Sequence, residues 1–244
     1  RFLRTQYFEF DQKMPHEKLL KRALNLLDMF DLQHLAICDV GCGTGASSLV
    51  LARETGAQVL AVDLFQPFLD VLEVRAQAAG LTDQIQTRCL SMDALPFEPD
   101  TFDLFWSEGA VYNMGFEKGI RYWRQFLKPG GFLAVSEISW LRDDRPDELE
   151  TYWTNAYPEI DSISAKIRVL ESAGYSPLAH VVLPPSCWLD AYYLPLQARY
   201  PAFLERHHNS EAATALRASD AEEIALYEQY QDYYSYGFYL ARKV

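Results

Sequence analysis

The stretch CDVGCGTGASSL carries glycines at positions 41, 43 and 45, between an apolar strand pattern and a helical one. Such a loop turns tightly and lets backbone amides approach a ligand with no Cβ in the way. The pattern is weakly specific by itself, since Gly41, Gly43 and Ala46 also satisfy a loose G-x-G-x-x-A dinucleotide test. Asp63 closes the next apolar run, 18 residues beyond Gly45. A carboxylate there accepts hydrogen bonds from the ribose of NAD or of another adenosine cofactor. Asp93, in SMDALPF, follows a third apolar run, where a short acidic loop can accept from an exocyclic adenine amine. FDLFWSEGA leaves a fourth run with Ser107, Glu108 and Gly109. Glu108 and Glu137 end neighbouring predicted strands, where site residues collect in open α/β sheets. Either carboxylate can serve as a base or as a counter-charge, and Glu108 suits cofactor contact better than proton transfer. Among the histidines, His16 lies in an N-terminal segment able to reach the reacting atoms, and His180 sits inside a predicted strand and reads as structural. His207 and His208 follow an inserted helix and read as solvated. Tyr112 and Asn113, just after the fourth strand, and Trp140, after the fifth, are the substrate-contact candidates, with packing as the plain alternative.

The elements that must position these residues alternate regularly. Strands are predicted at 35–40, 58–64, 85–90, 101–108 and 132–138, with helices at 16–31, 46–55, 66–79 and 115–127 between and before them. Strands alternating with helices indicate an α/β fold, a parallel sheet with helices on both faces. Helices at 143–160 and 163–175 follow, then a sixth strand at 178–184 and a seventh at 234–244. Residues 185–233 form an insertion of two aromatic-rich helical stretches with a break near Pro195, too long for a turn and placed to cover something. Late aromatics such as Tyr152, Trp153, Tyr157, Trp188, Tyr192, Tyr193, Tyr227 and Tyr234 read first as core, and second as the wall of an apolar acceptor pocket.

With 244 residues the chain suits one domain that buries roughly 70–75% of its unfolded surface without staples. Its 22 Lys+Arg against 34 Asp+Glu give −12, with no basic run, which disfavours nucleic acid and anionic membranes as partners. No apolar run approaches the roughly 20 residues of a membrane span, and the first residues lack the apolar centre of a signal peptide. Cys38, Cys42, Cys89 and Cys187 show no metal spacing and read as reduced thiols of a cytoplasmic protein.

The ordered set DVGCGTG, VDL, SMDALPF, FDLFWSEGA and LKPGGFLAVSE resembles the class I S-adenosylmethionine-dependent methyltransferases. It is most similar to the bacterial small-molecule branch that includes the ubiquinone-biosynthesis type (methyltransferase type 11). The likeness is strong over residues 35–140 and looser at the seventh strand. It implies a single Rossmann-like methyltransferase domain over 1–244, with seven strands ordered 3-2-1-4-5-7-6 and the last antiparallel. It also implies an N-terminal helical segment (1–34) over the cofactor, a cofactor-binding core at 35–140 and a helical lid at 185–233. By position, Gly41, Cys42, Gly43 and Gly45 would form the methionine-side loop, Asp63 would hold the ribose and Leu64 would pack on adenine. Asp93 and Ala94 would meet the adenine edge, Ser107 and Glu108 the methionine end, and Gln12 would close over the cofactor. The implied ligand is S-adenosyl-L-methionine, leaving S-adenosyl-L-homocysteine, with a small-molecule methyl acceptor, no metal, and a homodimer among the assemblies allowed. Two other classes compete: a nicotinamide oxidoreductase, which usually needs another domain, and a cofactor-binding protein without catalysis.

Overall fold

Apolar runs of five or six residues, each too short for a helix and bounded by turn residues, form β1 (Ala36–Val40), β2 (Gln58–Asp63), β3 (Ile85–Cys89) and β4 (Phe102–Ser107). The computed structural model describes residues 15–27 and 35–244. With β5 (Leu127–Trp140), β6 (Asp161–Ser162), β7 (Tyr175–Val182) and β8 (Tyr234–Lys243), these strands make one sheet ordered β3-β2-β1-β4-β5-β8-β7. Pairing is parallel except along β8, which runs antiparallel to both β5 and β7. This is the expected order, the predicted sixth and seventh strands being β7 and β8.

Helices α1 (Pro15–Leu26), α2 (Ala46–Thr55) and α3 (Gln66–Ala79) cover one face. Leu20, Leu24, Leu51, Leu69 and Leu72 lie there against Ile37, Val59, Leu104 and Phe238. Helices α4 (Phe116–Trp123) and α6 (Ile163–Ser172) cover the other, where Ile120, Trp123 and Leu170 meet Phe105, Leu133 and Val135. Glycines 56 and 80 end α2 and α3 in the left-handed conformation, each returning its N–H to the last turn.

Beyond the carboxyl ends of the strands lies a third core. Helix α5 (Asp147–Ala156) and the insertion's α7 (Pro185–Trp188), α8 (Leu194–Arg206) and α9 (Glu211–Tyr230) build it. Trp188, Tyr193, Leu196 and Tyr227 pack there with Ile138, Trp140, Trp153 and Tyr234. Trp153, Tyr157, Trp188, Tyr193, Tyr227 and Tyr234 are therefore core, as their first reading has it, with Tyr152 and Tyr192 half-buried against them.

Four expectations need correction. The sheet has eight strands, because β5 runs on past β4, whose pairing ends at Ser107 opposite Val135. The backbone edge left open at Ser139 and Trp140 is filled by the two-residue β6. Second, β5 begins at Leu127 instead of 132, and a register shift between Phe102 and Leu104 takes up the Lys-Pro-Gly-Gly stretch. Third, the insertion does not break near Pro195: that proline sits in the first turn of α8, where its missing N–H is harmless, after one π-helical turn at Leu189–Tyr193. The break falls instead at 207–210, where His208 and Asn209 take positive φ. Fourth, His207 is half-buried against the Phe203 ring, while His180 lies on an exposed position of the edge strand β7. The predicted helix 16–31 is described as α1, its later part lying outside the described residues. All four cysteines are free, Cys38 and Cys42 buried, Cys187 half-buried and Cys89 exposed. No described helix is long and apolar enough to cross a membrane.

Candidate functional site

At the carboxyl end of β1 the chain turns back at once, Gly41 and Cys42 both donating to the Val62 carbonyl at 2.8 and 3.0 Å. The glycines that follow differ in purpose. A Cβ on Gly45 would overlap Leu72 of α3, and φ is +84°, so this glycine lets α2 start tight against its neighbour. A Cβ on Gly43 would meet nothing within 4 Å, so its bare backbone faces open space, as a ligand cradle requires. Gly45→Ala is accordingly expected to destabilise strongly, through both overlap and φ, and to lower the melting temperature well below that of Gly43→Ala. Equal melting temperatures for the two variants would contradict this division.

Asp63 ends β2 beneath that cradle. Its Oδ2 accepts the Gly43 N–H at 2.9 Å and its Oδ1 the Phe65 N–H at 3.0 Å. Burial pushes its pKa up, and the amide bonds pull it partly back. A carboxylate has about four acceptor positions, so both oxygens can still take a hydroxyl. Beside it Leu64 is 50% exposed, an apolar side chain turned to solvent at a strand end. Asp93 and Ala94 are exposed on the loop after β3. That loop is fastened from α4, Trp123 donating its indole N–H to the Met92 carbonyl at 3.0 Å and the Leu95 N–H reaching the Tyr122 hydroxyl at 2.8 Å.

Glu108, the first residue beyond β4, is half-buried and held by two donors on one oxygen, the Ser47 hydroxyl at 2.9 Å and the Trp106 indole at 2.8 Å. Cys187 of α7 feels it: burial, then the Glu108 charge, push that thiol up to about 11. Ser107 departs from expectation. It is fully buried and donates to the Val40 carbonyl at 2.9 Å, so its hydroxyl ties β4 to β1 instead of facing a ligand. Two residues the sequence reading passed over complete the loop. Asp39 is buried and accepts the Ser48 hydroxyl at 2.6 Å, and Ser47 holds Glu108. The signal for Asp39 was there, an acid inside an apolar strand two residues before Gly41.

Glu137 is not at a strand end but three residues inside β5, fully buried on the α4–α6 face. Lys166 Nζ stands 3.6 Å away and the Tyr157 hydroxyl faces the same carboxylate. Burial pushes Glu137 up to about 7, with Lys166 opposing. The folded chain thus holds this proton more tightly than the unfolded one, whose value is near 4.5, so the group's contribution to stability falls as pH rises from 4.5 to about 7. Glu137→Gln is expected to remove that slope, the variant gaining on the parent in melting temperature as pH rises through the window. Parallel melting curves would refute it.

Tyr112 is half-buried on a 3-10 turn (Val111–Asn113), edge-on to Tyr157 at 6.3 Å. Tyr112, Tyr192 and Tyr236 pack against the third core together, bringing residues of β4's turn, the insertion and β8 into one cluster, and burial first pushes the Tyr236 hydroxyl up. Asn113 is exposed and spends its amide on the Ala110 carbonyl at 2.9 Å. Trp140 is 5% exposed, under the Arg145 guanidinium and edge-on to Tyr234, and its remaining edge lines a cleft with Arg142, Ser162 and Val182. Gln12 lies outside the described residues, and of His16 only the backbone, in α1, is described. No group of three described His, Cys, Asp or Glu residues could hold a metal ion.

Residues 37–131 match the family described as "Methyltransferase domain". A methyltransferase of Streptomyces halstedii is 33% identical over 103 residues, 42% of this chain and 37% of that protein. A ubiquinone biosynthesis O-methyltransferase of Leptothrix cholodnii is 34% identical over 110 residues, 44% of this chain and 46% of that protein. The chain thus spans less than half the length of these curated relatives. Among solved structures, an S-adenosylmethionine-dependent methyltransferase of Geobacter sulfurreducens in complex with S-adenosyl-L-homocysteine aligns with a TM-score of 0.77 at 20% identity, over 94% of this chain and 91% of that one. At that identity the likeness is one of fold.

Proposed function

We propose that this chain, which carries a class I S-adenosylmethionine-dependent methyltransferase domain, moves a methyl group from that cofactor to a small-molecule acceptor. The observation that carries the reading is the charge around the first turn of α2. Glu108 on Ser47 and Asp39 on Ser48 bring two carboxylates to the helix end where a dinucleotide's pyrophosphate would need to sit. Negative charge there repels a pyrophosphate and suits a ligand bearing an ammonium and a sulfonium. The residues fit that ligand: Gly43 offers open backbone, Asp63 offers acceptors for ribose, Leu64 an exposed apolar surface for adenine, and Asp93 an acceptor for its amine.

When bound, S-adenosylmethionine supplies an activated methyl whose leaving group departs neutral, so no acid is required. The chain's work is alignment and the exclusion of water. Glu108, pinned by two donors, acts as fixed counter-charge and not as base. Residues 185–233 act as the lid, and Tyr112, Tyr192 and Tyr236 line the acceptor side. The Leptothrix cholodnii relative, named for ubiquinone biosynthesis, supports an acceptor of that size.

The deciding experiment compares thermal shifts with S-adenosylhomocysteine and NAD, then follows tritiated methyl from S-adenosylmethionine into a metabolite extract. Stabilisation by NAD alone would overturn the reading. The −12 charge adds a prediction: turnover stays nearly constant between about 50 and 200 mM salt, where a polyanion-binding enzyme making six or more phosphate contacts loses on the order of 1,000-fold in affinity. Salt-sensitive methylation of RNA or DNA would contradict a small acceptor.

A further inference from the structure

Behind the Tyr112 turn lies a buried polar cluster that cofactor binding does not explain. Glu137 has none of its surface exposed and Lys166 only 3%, with Nζ 3.6 Å from Oε1. A buried ion pair of this kind adds little net stability over an apolar pair, so a geometric use is the better explanation of it. The same ammonium donates to the Glu159 carbonyl at 2.6 Å and lies over the Phe116 and Tyr157 rings at 4.8 and 5.7 Å. One charge thus pins residues 157–166 to β5.

That segment grips the turn at two points. The Glu159 Oε2 accepts the Phe116 N–H at 2.9 Å, satisfying a free amide at the start of α4, and the Tyr157 ring meets Tyr112 edge-on. The fit at Gly115 is close: φ is +90°, and any Cβ there would overlap the Glu159 carboxylate. Glu159 therefore fixes the C-terminal end of the turn and Tyr157 its middle.

We propose that Glu137 and Lys166 are positioning residues for methyl transfer, holding residues 157–166 so that Glu159 and Tyr157 set the Tyr112 turn against the acceptor. This role rests on the transferase reading above. Glu137 acts through other residues and never meets the acceptor, which also explains why a carboxylate so near the site is not its base. Of the three predicted acceptor contacts, Tyr112 and Asn113 share the turn that this cluster holds.

The test uses the 244-residue chain, tritiated S-adenosylmethionine and a metabolite extract at graded dilutions, with S-adenosylhomocysteine affinity measured by calorimetry. The double variant Glu137→Leu/Lys166→Met removes both charges at similar volume, and Glu159→Ala and Glu159→Gln address the grip directly. The double variant and Glu159→Ala are expected to keep S-adenosylhomocysteine affinity, to need more extract for half-saturation and to lose roughly 10- to 100-fold in transfer, the scale of an ångström-size misplacement. Glu159→Gln, which still offers an oxygen to the Phe116 N–H, recovers most of the transfer lost in Glu159→Ala. Parent-like transfer and half-saturation in the folded double variant and in Glu159→Ala overturn the positioning role alone. Transfer and cofactor affinity falling in step also overturn it, making the pair a general support of the fold. A parent chain that binds no S-adenosylhomocysteine overturns the transferase reading and this role with it. If the double variant does not fold, the Glu159 pair decides by the same outcomes.

Discussion

Asp63→Ala is expected to weaken S-adenosylhomocysteine binding by roughly 10- to 150-fold, since hydrogen bonds to a charged acceptor are worth about 1.5–3 kcal/mol. Two effects add. The ribose loses its acceptor, and the Gly43 and Phe65 amides lose the carboxylate that fixes them, so the cradle itself loosens. Asparagine does not rescue, because its amide group would turn a donor toward one of those two N–H groups. Adenosine alone is expected to show most of the same deficit, which assigns the loss to the nucleoside half. Because burial raises the Asp63 pKa, affinity should also begin to fall at a higher pH than for an ordinary carboxylate, as the protonated acid gives up an acceptor. Calorimetry showing unchanged affinity for Asp63→Ala would remove Asp63 from the binding site.

The place of Asp63 at the end of β2, beside the glycine loop, was legible because its cue is local: an apolar run, an acid at its end, and a glycine loop one strand earlier. The same holds for the strand order, since each strand–turn–helix unit between 35 and 140 carries its own punctuation. Ser107 was not legible in this way. It lies on a central parallel strand where Phe102, Leu104, Phe105 and Trp106 are all buried, so alternation gives no sign of where its hydroxyl goes. Glu137 was misplaced for a nonlocal reason. Its strand continues because β8 pairs along it as far as Tyr234 and β6 supports its last two residues, and neither partner is near in sequence. Tyr236 gave no cue in the sequence because Tyr112 and Tyr192 join its cluster only in the fold. Pro195 misled because a proline reads as a break when it equally suits the first turn of a helix.

Trp188→Ala is expected to abolish methyl transfer while leaving measurable S-adenosylhomocysteine binding, and it tests the lid more cleanly than deleting 185–233. Deletion would bare Ile138, Trp140, Trp153 and Tyr234, which the insertion covers, and would confound a lost lid with a lost core. Trp188 is instead the joint between the two. It is 5% exposed, stacks on Tyr227 of α9 at 4.7 Å and on Tyr236 of β8 at 5.2 Å, and donates to the Ser235 hydroxyl at 3.0 Å. Truncating a buried tryptophan costs about 3–5 kcal/mol, enough to free α7 from β8 without dissolving the cores on the two sheet faces. The Glu108 charge helps push up the thiol of Cys187, next in the chain, and loosening α7 is expected to open the proposed methionine end at Glu108 to solvent. Water then reaches that end and the tyrosines of the acceptor side lose their register. The nucleoside half, proposed to sit on Asp63, Leu64 and Asp93 at the ends of β2 and β3, is expected to keep its contacts. Near-ultraviolet circular dichroism and a melting curve establish that the variant is folded before activity is read. A folded Trp188→Ala chain that transfers methyl at the parent rate would show that the insertion supports the sheet without acting as a lid.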